Sequence, residues 1–192
     1  MEKGFISEHH PFARGTNRET CFEDMQFRIS SGRIAMANAP DWEVFTTNTS
    51  EYAFDVNDYI DLGAEETPHW WAEGTPYKIH LHITTLIANA TGANRYAKFT
   101  VHIAYAGTDE AWTETPFTAE LTIPTGTPAL FNTKLAIGTL TLPTHKIGMH
   151  IKCRPVRIAA TGGTEYASHI FLTQVGIHAE KDSEGSRQEF IK

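Results

Sequence analysis

Two segments of strict period two constrain this chain more than anything else in it. From Tyr77, the residues Tyr77, Ile79, Leu81 and Ile83 alternate with Lys78, His80, His82 and Thr84. Further on, Phe99, Val101, Ile103 and Tyr105 alternate with Lys98, Thr100 and His102. Successive side chains of a strand point to opposite faces of its sheet, so both segments predict half-buried strands. The run Asn89-Ala90-Thr91-Gly92-Ala93-Asn94 between them reads as a hairpin loop. A hairpin symmetric about Thr91 would set His80 directly across from His102 on the polar face.

The rest of the chain repeats this pattern in shorter pieces. Met25, Phe27 and Ile29 alternate, as do Trp42, Val44 and Thr46, and then Tyr52, Phe54 and Val56. Further strands are expected at Phe117 to Ile123, Leu130 to Leu142, Ile147 to Ile158 and His169 to Ala179, punctuated by Pro- and Gly-bearing turns. No segment carries capped helical periodicity beyond about two turns. Eight to ten short strands predict an all-β fold, an antiparallel β-sandwich with jelly-roll-like wiring. Residues 1–22 read as an extended N-terminal arm, 23–180 as the sandwich domain and 181–192 as an exposed C-terminal tail.

Composition narrows the function classes. At 192 residues with 41% hydrophobic and 20% charged residues, the chain suits one globular domain with a two-layer core. A net charge of -7 argues against nucleic-acid binding, which calls for a basic patch. No apolar run is long enough to cross a membrane. The N-terminus lacks the apolar stretch of a secretory signal, so synthesis in a cytoplasm is expected. Cys21 and Cys153 match no CxxC spacing and read as free thiols, Cys153 as a small buried hydrophobe.

Three kinds of chemistry can be weighed on the residues. His80 and His82 share a strand face, and His102 on the neighbouring strand would complete three imidazoles around a zinc with an open fourth position, which could activate a water as in a zinc-dependent enzyme. The same histidines could instead line a polar sheet face or a subunit contact, with no cofactor at all. Their protonation at such a contact would weaken assembly below about pH 6. Trp70 and Trp71, flanked by His69 and Glu73, are candidates either for a subunit interface or for stacking on the sugar rings of a host surface glycan. Glu65, Glu66 and Glu73 read as loop charges rather than as a glycosidase pair. No activated serine, activated cysteine or phosphate-binding loop is present, so no catalytic residues are assigned.

Four motifs then occur in order: Cys21-Phe22-Glu23-Asp24-Met25-Gln26-Phe27, Pro68-His69-Trp70-Trp71-Ala72-Glu73-Gly74-Thr75, His80-Leu81-His82 and Gly185-Ser186-Arg187-Gln188. In this order the chain resembles a poorly characterised family of tailed-phage virion structural proteins. The resemblance implies a non-enzymatic virion component, a capsid or neck decoration or a fibre-type module. It implies partners among other virion proteins and copies of itself, with a trimer expected by analogy with jelly-roll virion subunits.

Overall fold

The computed structural model describes residues 21–34, 36–142 and 148–181. The expected arm up to residue 20, the tail from residue 182 and the Gly185–Gln188 motif lie outside the described residues. Twelve strands follow one another: β1 (Cys21–Arg28), β2 (Arg33–Ile34), β3 (Asp41–Thr46), β4 (Thr49–Phe54), β5 (Ile60–Asp61), β6 (Glu65–Glu66), β7 (Tyr77–Thr85), β8 (Arg95–Ala106), β9 (Thr113–Ile123), β10 (Asn132–Leu140), β11 (His150–Ile158) and β12 (Ile170–Lys181). The helical content among the described residues is one short 3-10 turn, Ile29–Ser31.

The pairing is that of a jelly roll. β8 pairs with β9, β7 with β10, β6 with β11 and β1 with β12, all antiparallel, as in one long hairpin folded back on itself. Successive pairs fall alternately in two sheets. Ladders between β7 and β12, and between β8 and β11, join the pairs side by side. One sheet therefore runs β10-β7-β12 and continues to β1 along the later half of β12. At the start of β12, the hairpin β4–β3 extends the same sheet. The other sheet runs β6-β11-β8-β9.

This arrangement corrects the expected hairpin. Segments 77–85 and 95–106 are not neighbours in one sheet; they lie in opposite sheets and meet through their apolar faces. Ile79, Leu81 and Ile83 from one side and Phe99, Val101 and Ile103 from the other are all buried in the common core. The connecting run crosses between the sheets and is pinned from within. Asn89 is buried, and its side-chain amide donates to the carbonyls of Ala93 and Ile123, both at 2.9 Å. Tyr166 fastens the same run by donating from its hydroxyl to the Ile87 carbonyl at 2.6 Å. Alternation identifies which face of a strand is buried, but a face can be buried by a facing sheet as well as by a hairpin's own partner layer.

The other expected strands stand close to where they were read. Met25, Phe27 and Ile29 point into the core, and Cys153 is buried there, its thiol pKa pushed up by that burial. The segment around Trp42 departs from expectation. Trp42 is 57% exposed and Val44 68% exposed, because β3 is the outermost strand of its sheet and turns these residues outward. Phe45 takes the other face and meets Phe171 edge-on at 5.0 Å.

Candidate functional site

The inward positions of β7 are apolar, so Lys78, His80 and His82 occupy the outer face of the larger sheet. β12 runs beside it with Gly176 opposite His80 and Gln174 opposite His82. β1 follows, with Asp24 opposite His178. Gly176 is what lets His80 lie down against the sheet: a Cβ at that position would stand 2.4 Å from the imidazole. His80 is consequently only 3% exposed, although it faces outward.

Around it a histidine cluster forms. The Nε2 atoms of His80 and His82 approach to 3.1 Å. The His80 ring stacks on that of His178 with 4.4 Å between centroids. His178 Nδ1 is in contact with the Asp24 carboxylate, and His80 Nδ1 is buried with no hydrogen-bond partner among the described residues. Burial, followed by the neighbouring His178 and His82, pushes the His80 pKa down to about 4, so its imidazole is neutral at pH 7.

His102 does not join this cluster. It lies on β8 in the opposite sheet, between Arg154 of β11 and Pro116 of β9, and its Nδ1 is 2.9 Å from Glu114. The triad His80, His82 and His102 is thus split between the two outer faces of the sandwich. The mistake has the same origin as the hairpin: a strand's period fixes the face but not the neighbour.

His102 instead borders an open cleft of about 700 Å³ whose walls include Arg33, Asp61, Glu114, Lys152 and Arg154. Arg154 donates to both carboxylate oxygens of Asp61, at 2.5 and 2.9 Å. Lys152 stands over the Trp112 ring at 5.0 Å. Much of the charge around this cleft is therefore already engaged by near neighbours.

The tryptophan loop is divided by burial. Trp71 is 0% exposed, stacks on Tyr77 at 4.7 Å and donates through its indole nitrogen to the Thr75 hydroxyl at 3.0 Å. It is a core residue, which corrects its candidacy as an interface or glycan contact. A large aromatic next to a half-buried sheet is worth more inside than out, on the order of 3–5 kcal/mol on truncation. Trp70 is partly buried against the core, with the Lys181 ammonium 5.8 Å from its ring. His69 lies 3.6 Å from Glu66, and Glu73 is exposed.

Three groups could not be placed from the sequence. His178 carried a usable signal, since it lies two residues beyond Gly176 on the same strand face, and an isolated glycine within a strand marks a close approach. His169 sits between two carboxylates, its Nδ1 2.7 Å from Glu43 and its Nε2 3.1 Å from Asp55. Arg157 is buried in phase with the apolar residues of β11. It donates to the carbonyls of Phe54, Ser168 and Tyr166 and to Glu165, at 2.6 to 2.9 Å. Buried charge is tolerable when so paired, and here it fixes the 165–168 loop to β4 and β11.

No family model and no curated relative matches the chain. Among solved structures it is similar to the CBM36-1 domain of a multidomain xylanase from the hindgut metagenome of Trinervitermes trinervoides, with 13% identity and a TM-score of 0.45 over 81% of this chain and 96% of that one. It is also similar to the structure of infectious bursal disease virus Gt strain, with 9% identity and a TM-score of 0.38 over 93% of this chain and 36% of that one. The stem and receptor binding domain of the spike protein P1 from bacteriophage PM2 matches at 12% identity and a TM-score of 0.34, over 75% and 68% of the two chains. At these identities and TM-scores the likeness carries neither a fold assignment nor a function across.

Proposed function

We propose that this chain is a non-enzymatic structural component of a tailed-phage virion, a jelly-roll subunit that acts by packing against copies of itself. The observation that carries the reading is the outer strand β3. It ends the larger sheet and shows Trp42 and Val44 to solvent. An apolar, open edge of this kind is a hazard for an isolated protein and an asset for a subunit whose neighbours cover it. The ordered motifs of the sequence support the phage context. The absence of fibrous repeats favours a capsid or neck decoration over a fibre.

Mass spectrometry of purified virions should find the chain at a fixed ratio to the major capsid protein. Its absence from particles, with abundance in the infected lysate, would refute the reading. Light scattering on the isolated protein tests the contact itself: the wild type should form a closed homo-oligomer, and Trp42→Glu with Val44→Glu should reduce it to monomers. Glycan binding by Trp70 and Trp71 has less to rest on, since Trp71 presents no free face.

A further inference from the structure

We propose that the cleft on the outer face of the smaller sheet binds a carboxylate-bearing saccharide, with Arg33 and Lys152 holding its anionic group. The site goes beyond the virion reading and does not depend on it. Its floor follows from strand register. On the outer face, β11, β8 and β9 set Lys152, Ala104 and Glu114 side by side, with Arg154, His102 and Pro116 in the next row. Ala104 is the smallest of its row, so the sheet is hollow between two long charged side chains. The segment from Asp61 to Ala64 walls the hollow, held to β11 by the Leu62 amide donating to the Cys153 carbonyl at 2.9 Å. The resulting space of about 700 Å³ falls within the range of small-molecule sites.

The charges around it divide into those already engaged and those left over. Asp61 is held by Nε and Nη2 of Arg154, and Glu114 lies 2.9 Å from His102 Nδ1. Arg33 and Lys152 have no carboxylate partner among the described residues, and Lys152 stands over the Trp112 ring instead. Three fixed cations thus face two carboxylates, on a chain whose net charge is -7. A local excess of positive charge on an acidic protein selects an anion. Two free cations are too few for a nucleic-acid backbone, which calls for a basic stripe. Trp112 is 50% exposed and offers an indole surface to the C–H face of a sugar ring. The Arg154–Asp61 and His102–Glu114 pairs set donors beside acceptors, the arrangement that neighbouring sugar hydroxyls require.

The test is calorimetric titration of the full-length protein at neutral pH. The probes are tri-galacturonate, a sialic acid trimer and a hyaluronan tetrasaccharide, with maltotriose as the neutral sugar and tetra-glutamate as the acidic peptide. At least one acidic oligosaccharide should bind at one site per chain, and maltotriose should not. Raising the salt to about 0.5 M should weaken that binding several-fold. Arg33→Gln and Lys152→Gln should each lower the affinity about 10-fold, and Trp112→Ala about 3–10-fold. Lys134→Gln, on the larger sheet, should leave it unchanged. All four positions are exposed, so a thermal melt matching the wild type separates lost binding from lost folding. Failure of every acidic oligosaccharide to bind would overturn the proposal. So would wild-type affinity in both Arg33→Gln and Lys152→Gln, or tighter binding of tetra-glutamate than of any saccharide.

Discussion

The single histidine before β12 and the histidine cluster on β7 and β12 place their imidazoles in opposite surroundings. At His169 both ring nitrogens meet carboxylates, Glu43 and Asp55, in a half-exposed setting. That environment gives each ring nitrogen a carboxylate neighbour. At His80 the neighbours are two further histidines, solvent is nearly excluded, and a ring nitrogen is left without a described partner. That environment suits a neutral base. Identical side chains are thus set with both ring nitrogens engaged in one place and with one nitrogen left over in the other, and the difference lies in what the adjacent strands supply.

The largest effect expected from this contrast is a pH dependence at the His80 cluster. His80 titrates near 4 when folded and near 6.5 when unfolded, so between those values the unfolded chain takes up a proton that the native state refuses. Stability should be full above pH 6.5, fall as the pH drops and level off below about 4. The total loss is on the order of 3 kcal/mol for this one site. Asp24 opposes the loss and Lys134 adds to it. Urea unfolding at pH 7 and pH 4 measures it, and His80→Gln should flatten the profile. A wild type equally stable at both values would break the contrast.

A smaller effect tests the space beneath His80. Gly176→Ala drives a methyl group into the imidazole and should cost about 1–3 kcal/mol. Combining it with His80→Ala should recover much of that loss, and a double-mutant cycle showing no coupling would refute the close approach. The smallest effect belongs to the single histidine. With Glu43 and Asp55 partly open to water, His169→Gln should cost no more than about 1 kcal/mol in urea unfolding at pH 7.

Much of the architecture was legible in the sequence because strand periodicity is a local signal. The segments read at 117–123, 147–158 and 169–179 coincide closely with β9, β11 and β12 where they are described. The strand neighbours were not legible, because pairing is a property of residues far apart in sequence. His80 and His82 were therefore recognised as neighbours, while the third histidine of their cluster was taken to be His102 rather than His178. His102 looks equivalent to His178 until the topology places them on opposite outer faces. Trp71 was obscured for a related reason, since a Trp-Trp pair in a loop gives no sign of which ring turns inward. Arg157 did leave a trace, a charged residue in phase with Ile151, Cys153 and Pro155, but only burial reveals its four acceptors.

The pairing of β1 with β12 has a consequence for how the protein is made. Cys21 stands opposite Lys181 and Arg28 opposite Gln174, so the first described strand finds its partner only in the last. On a ribosome the larger sheet cannot close until residue 181 has been synthesised, and until then β1, β4 and β7 must wait with open edges. Sheets assembled from such distant partners fold in milliseconds to seconds rather than microseconds. During that interval the exposed strands are open to other chains. Truncation within β12 should accordingly yield aggregation during synthesis, where an equal loss from a peripheral hairpin would be better tolerated.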